Sequence, residues 1–151
     1  MVEEIKEYFE NGKFNSPATK QDIVEIEEEL DIKFPSVLRE LYLSFNGFKE
    51  GNGNAAYLLP LKSYRDGSSV LEMNKFFKEE YKQYYPSLDF SNYLFFGSSC
   101  SDETWGINLS NESEIIAYHH HMEDEYEIVG SNIFEVYIKD QENFLEVTKE
   151  S

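Results

Sequence analysis

The chain is poor in cysteine, in basic residues and in long apolar runs, and each shortage removes a class of protein. Cys100 is the only cysteine among 151 residues, so an intramolecular disulfide is impossible and stability must come from a packed core. It lies in Gly-Ser-Ser-Cys-Ser-Asp-Glu with no Lys or Arg beside it to favour a thiolate, and reads as a small residue at a strand end rather than a nucleophile. Lys and Arg number 13 against 30 Asp and Glu, a formal charge of −17. Binding a phosphate backbone or an anionic membrane would oppose that repulsion, so the expected partner is a basic protein, with no direct nucleic acid and no membrane. The plainer reading is that acidity keeps the protein soluble. No apolar run approaches the roughly 20 residues that span a bilayer, and no basic start leads into an apolar signal segment. The cytoplasm is the expected compartment.

Catalytic motifs are scarce too. The Gly- and Asn-rich stretch Gly-Phe-Lys-Glu-Gly-Asn-Gly-Asn-Ala-Ala lacks the GK[ST] ending and following helix of a phosphate loop, and reads as a mobile loop. There is no nucleophile elbow, HExxH helix or Cys/His pair at a recognisable spacing. Carboxylates are so abundant that a chance acid–base pair means little, and an enzyme is the minority reading.

What is present is aromatic and apolar: 11 Tyr, 12 Phe and 40% hydrophobic residues, too much for a disordered acidic tail. The length fits one domain, residues 1–151, without an internal repeat or linker. Val2, Ile5, Tyr8 and Phe9 predict a short amphipathic helix. Thr19 and Asp22 make a capping box for a second helix that buries Ile23, Ile26 and Leu30. Pro35 suits the first turn of a third, with Leu38, Leu41, Tyr42 and Phe45 on one stripe and Asn46-Gly47 ending it. Ala56 to Tyr64 reads as one or two short strands edged by Pro60. Ser69 and Glu72 cap a helix carrying Val70, Met73, Phe77, Tyr81 and Tyr84, with the tyrosines as core cover, until Pro86.

From Tyr93 the period shortens. Tyr-Leu-Phe-Phe-Gly, Thr-Trp-Gly-Ile-Asn-Leu, Glu-Ile-Ile-Ala-Tyr-His-His-His and Tyr-Glu-Ile-Val-Gly predict four strands of an antiparallel meander, joined by polar turns. Trp105-Gly106 reads as a core anchor rather than a ligand platform. A last helix starts near Ser131 or Asn132, burying Ile133, Phe134 and Tyr137, and residues 140–151 form a charged segment whose Phe144, Leu145 and Val147 can still pack. The fold class is α+β: one antiparallel sheet packed against helices.

The histidine run His119, His120 and His121 raises the question of metal. On a strand His119 and His121 share a face, but the spacing supplies no third ligand, and a solvated strand end is the better reading.

Read in order, the acidic helix Asp22–Leu30, Phe34-Pro35, Leu38–Gly47 ending in Asn-Gly, Tyr93–Leu109, Glu114–Glu125 and Ser131–Ile138 give the chain a family likeness. It resembles the SUKH superfamily, which includes fungal cell-wall-assembly regulators and many bacterial immunity proteins. Phe34 stands where members often carry Leu, and Asn108 where many carry Asp. The resemblance implies an α+β domain without catalysis or cofactor that binds a cognate toxin, often a nuclease, directly. The contact residues expected on that reading are Asp102, Glu103, Glu123, Asp124 and Glu125, with Tyr126, all placed in meander turns. A regulatory or scaffold module of the same fold is the alternative. A metal-binding domain using His119 and His121, or an enzyme, is the minor one.

Overall fold

Thr19 starts the first long helix because its side chain and backbone are both engaged there. In the computed structural model, which describes residues 2–63, 68–87, 89–99, 102–119 and 126–150, helix α2 runs Lys20–Leu30 behind a complete capping box. The Asp22 N–H donates to Thr19 Oγ1 at 3.1 Å and the Thr19 N–H donates to Asp22 Oδ2 at 2.8 Å. Those bonds hold the Asp22 carboxyl below its ordinary value. The sign follows: Asp22's contribution is complete above the ordinary carboxylate pKa of about 4 and is lost as pH falls through the lowered value. Thr19→Ala, which frees one helix N–H, is expected to cost about 1 kcal/mol in urea unfolding at neutral pH.

Ahead of α2 stand α1 (Val2–Tyr8) and the two-residue strand β1 (Lys13–Phe14). Helix α3 spans Ser36–Ser44, with Pro35 at the capping position just outside it. Tyr42 is buried and its hydroxyl donates to the Leu59 carbonyl at 2.7 Å. Asn46-Gly47 does not end this helix in the way its sequence suggests. Phe45 is already extended, and Gly47, at φ 97°, turns the chain into β2 (Phe48–Lys49). A Cβ on Gly47 would lie 2.8 Å from the Leu58 carbonyl oxygen, so the turn needs glycine for both conformation and space.

The sheet has seven strands in sequence order, all antiparallel: β1, β2, β3 (Tyr57–Leu58), β4 (Tyr93–Ser98), β5 (Glu103–Asn108), β6 (Asn111–His119) and β7 (Tyr126–Gly130). The four-strand meander read from the sequence is its second half. The first three strands are two residues long, too short for alternation to show. The Gly- and Asn-rich segment is a tied hairpin turn between β2 and β3 rather than an open loop. The Glu50 N–H donates to the Ala56 carbonyl at 2.7 Å, and the Asn54 amide reaches Asp140 Oδ2 at 2.8 Å and Gln141 Oε1 at 2.9 Å.

Both faces of the sheet are covered. Leu94, Phe96, Trp105, Ile107, Ile115 and Ala117 meet α1–α3 and the last helix, α6 (Ile133–Glu150), in the main core. Phe95, Ile116 and Tyr118 point the other way and meet Phe77 and Phe90. Phe77 stacks on Phe95 at 4.5 Å, carried by α4 (Val70–Lys75) and the π-helical turn Phe76–Glu80 that continues it. A π turn holds more residues than an α turn, so it rotates the succeeding residues away from the stripe that began at Val70. Tyr84, in the short α5 (Tyr81–Tyr84), is accordingly 75% exposed and gives the core no cover. Helix α6 likewise continues past the sheet, leaving Leu145 and Val147 exposed instead of packed. No described helix is long and apolar enough to cross a membrane.

Candidate functional site

Strand register brings together charged groups that are far apart in sequence. Glu103 of β5 pairs with His119 of β6, and Ala117, one step along the same face, pairs with Glu127 of β7. His119 therefore sits between two carboxylates, its Nδ1 3.6 Å from Glu103 Oε2 and its Nε2 3.1 Å from Glu127 Oε1. Glu103 is anchored from beneath as well, because Trp105 Nε1 donates to its Oε1 at 2.9 Å. The Trp105 ring is buried against Tyr137, at 5.1 Å, and is the core anchor its sequence suggests.

This row opens into a groove between the last strands and α6. Its volume is about 310 Å³, and Trp105, Glu127, Val129, Val136, Lys139 and Asp140 are among the residues around it. Asp140 is held in place by Ser99, whose hydroxyl donates at 2.8 Å, and by Asn54. The opposite face of β7 is aromatic and aliphatic. Tyr126 is 47% exposed, with Phe90 at 6.3 Å and Tyr93 at 5.9 Å, and Ile128 beside it is 65% exposed. Burial first, then hydrogen bonds to Glu114 and Tyr126, push the Tyr93 hydroxyl well above its ordinary value, so it stays protonated beneath this patch.

Of the residues singled out in the sequence, Asp102 is in an exposed turn as expected. Glu103 and Tyr126 are not in turns: both begin strands, Glu103 half-sheltered and Tyr126 on the sheet edge. Glu123, Asp124 and Glu125 lie outside the described residues, as do His121, His120 and Cys100. Among the described residues no three His, Cys, Asp or Glu side chains are grouped to hold a metal ion, and both ring nitrogens of His119 face carboxylates. Nothing in the sequence points to Glu127, Ile128 or Asp140. Only the strand register and the continuation of α6 place them beside Glu103.

Other acidic residues differ in their company. On α2, Glu25 is paired with Lys62, Glu29 with Lys75 at 3.1 Å and Glu27 with Arg39 at 3.5 Å. The groove at the opposite end of the sheet carries Lys13 and Lys49 among apolar residues. At the β7 end, by contrast, Glu127 is 64% exposed on its side chain and has the His119 ring as its one ion-pair partner of any kind among the described residues. That end offers an accessible carboxylate held by no described lysine or arginine, next to exposed apolar surface. Such a combination suits recognition of a basic protein surface better than bond-making chemistry.

No curated protein matches the chain closely enough to lend it a relative's name. A family model does match, over residues 17–139, which takes in every element from α2 through the strands to the first turns of α6. With the helical pair, strands β2 to β7 of the antiparallel sheet and the start of the closing helix all inside the matched region, the chain belongs to the SMI1 / KNR4 family (SUKH-1).

Proposed function

We propose that this protein is a non-enzymatic immunity protein that works in the cytoplasm, binding and neutralising a cognate toxin domain with a basic surface. The observation that carries the reading is the β7 end of the sheet, where the exposed Glu127 carboxylate adjoins the exposed Tyr126 and Ile128, with Asp102 exposed in the turn before β5. Membership of the family supports it, since the SUKH resemblance implies toxin binding. Charge supports it as well: at −17, the chain is steered toward a positive partner and away from nucleic acid. A nuclease is the toxin class that fits best, because the surface that holds a phosphate backbone is basic and an acidic protein competes for it. The contact set on this reading is Asp102, Glu103, Glu123, Asp124, Glu125 and Tyr126, and we add Glu127 and Ile128 for their exposure beside Tyr126.

The test is co-expression with the C-terminal domain encoded by the adjacent upstream gene. Wild-type protein is expected to rescue growth, and reversing Glu123, Asp124 and Glu125 to lysine is expected to abolish the rescue. Failure of the wild type to rescue would sink the proposal, and capture of a host protein instead would favour a regulatory module.

A further inference from the structure

The two edges of the sheet are built differently. β1 is two residues long and carries Lys13, with Lys49 on the neighbouring strand, which is how proteins blunt an edge against unwanted pairing. β7 is five residues long and has neither lysine nor proline. Among the described residues it pairs with β6 alone, and alternate residues of such a strand turn their N–H and C=O groups outward. Among the described residues no backbone hydrogen bond reaches that outer side. Tyr126, Glu127 and Ile128 are exposed in succession, so nothing among the described residues shields the edge at these positions. The register irregularity opposite Ile115 and Ile116 falls past Ile128, at the α6 end, and leaves this open run regular.

We infer that the outer edge of β7 takes up an extended segment of the toxin as an added strand, and that the segment alternates basic and apolar residues. This deepens the toxin-binding reading and rests on it. The alternation follows from the two faces of β7. On the α6 face, side chains of an added strand would meet the groove with Glu103, Glu127 and Asp140 against Lys139, the one cation among the described residues that line it. On the other face they would meet Tyr126 and Ile128. Main-chain hydrogen bonds supply affinity in this mode and the alternate side chains supply specificity. A second copy of this chain fits less well. Two β7 strands paired with each other would bring together edge to edge two molecules that each carry −17.

The experiment uses the toxin domain that neighbours the gene, inactivated, and reads amide hydrogen exchange by NMR in the free protein and the complex. Outward-facing amides of Tyr126–Gly130 are expected to slow by about tenfold or more on binding, while those of β5 change little. Ile128→Lys should weaken the complex by about tenfold, whereas Ile128→Thr, which keeps a β-branched side chain, should stay within about threefold. Unchanged exchange of the β5 and β6 amides in each free variant verifies that it has folded. A complex that forms without slowing the β7 amides overturns the added strand and leaves the immunity reading standing. If wild-type protein binds no such domain, both fail. A free protein that dimerises through β7, with the dimer lost in Ile128→Lys, assigns the edge to a second copy and also overturns the inference.

Discussion

Asn74→Ala is expected to lower stability by about 3–5 kcal/mol in urea unfolding, a larger effect than the loss of any helix cap in this chain. Asn74 is fully buried on α4. Its amide does for β4 what a neighbouring strand would do: Oδ1 accepts from the Phe95 N–H at 2.9 Å and Nδ2 donates to the Phe95 carbonyl at 2.9 Å. A third bond, Nδ2 to the Val70 carbonyl at 2.8 Å, ties the same amide to the start of its own helix. The strand needs this help because β3 pairs with it only at Gly97 and Ser98, and the pairing of β4 with β5 shifts between Phe95 and Gly97. Removing the amide leaves a buried N–H and a buried C=O without partners, each costing about 1–3 kcal/mol, and opens a small cavity besides. For a domain of this size the midpoint of thermal unfolding should fall by roughly 10 °C. Asn74→Leu keeps the γ-branched shape and should recover little, since the loss is in hydrogen bonding. Asn74→Asp retains the acceptor and loses both donors, placing a carboxylate against two carbonyls. Its carboxyl is pushed up, so the Asp variant gains stability as pH falls through that raised value.

The same residue shows where sequence reading stops. Val70, Met73 and Phe77 announce a helix through their spacing, and the Ser69 cap announces its start, because both signals are local. An asparagine in mid-helix carries no local sign that it faces a strand some twenty residues away. Tyr84 illustrates a second limit, since the π turn changes the period within the helix and carries the apparent stripe out to solvent. In the sheet, the strands of the second half were legible from alternation and polar turns, whereas Phe14, Phe48 and Leu58 sit in strands too short to alternate. For the candidate site, Asp102 could be read as exposed from its turn. Glu103 could not be separated from Asp102, because its bond to Trp105 and its pairing with His119 depend on register. Glu127 and Asp140 were invisible for the same reason: strand pairing and helix docking bring them to one groove, and neither leaves a trace in the spacing of residues.

The difference between exposed and anchored carboxylates determines how the acidic surface should be tested. On the proposed toxin-binding reading, reversing Asp102 and Glu127 together to lysine is expected to slow association with the toxin domain by about 10- to 100-fold at low salt, as electrostatic steering is lost. In about 1 M salt, where the screening length shrinks to about 3 Å, the wild type and the double variant should associate at similar rates. Dissociation should change less than association, because exposed rim charges act mainly on encounter. Tyr126→Ala should show the converse, a faster dissociation with little effect on association, because its contribution is desolvated area. Glu103 has to be handled separately. Its lysine variant would remove the acceptor for Trp105 Nε1, so a weakened complex would not distinguish steering from a disturbed β5. Glu103→Gln keeps an oxygen for Trp105 while removing the charge, and stopped-flow association measured on it reads the electrostatic part alone. An association rate that stays the same in the Asp102 and Glu127 double variant would show that the toxin approaches another face of the protein. Exposure favours the β7 end over α2, because Glu25, Glu27 and Glu29 already hold Lys62, Arg39 and Lys75, and an approaching cation would have to displace them.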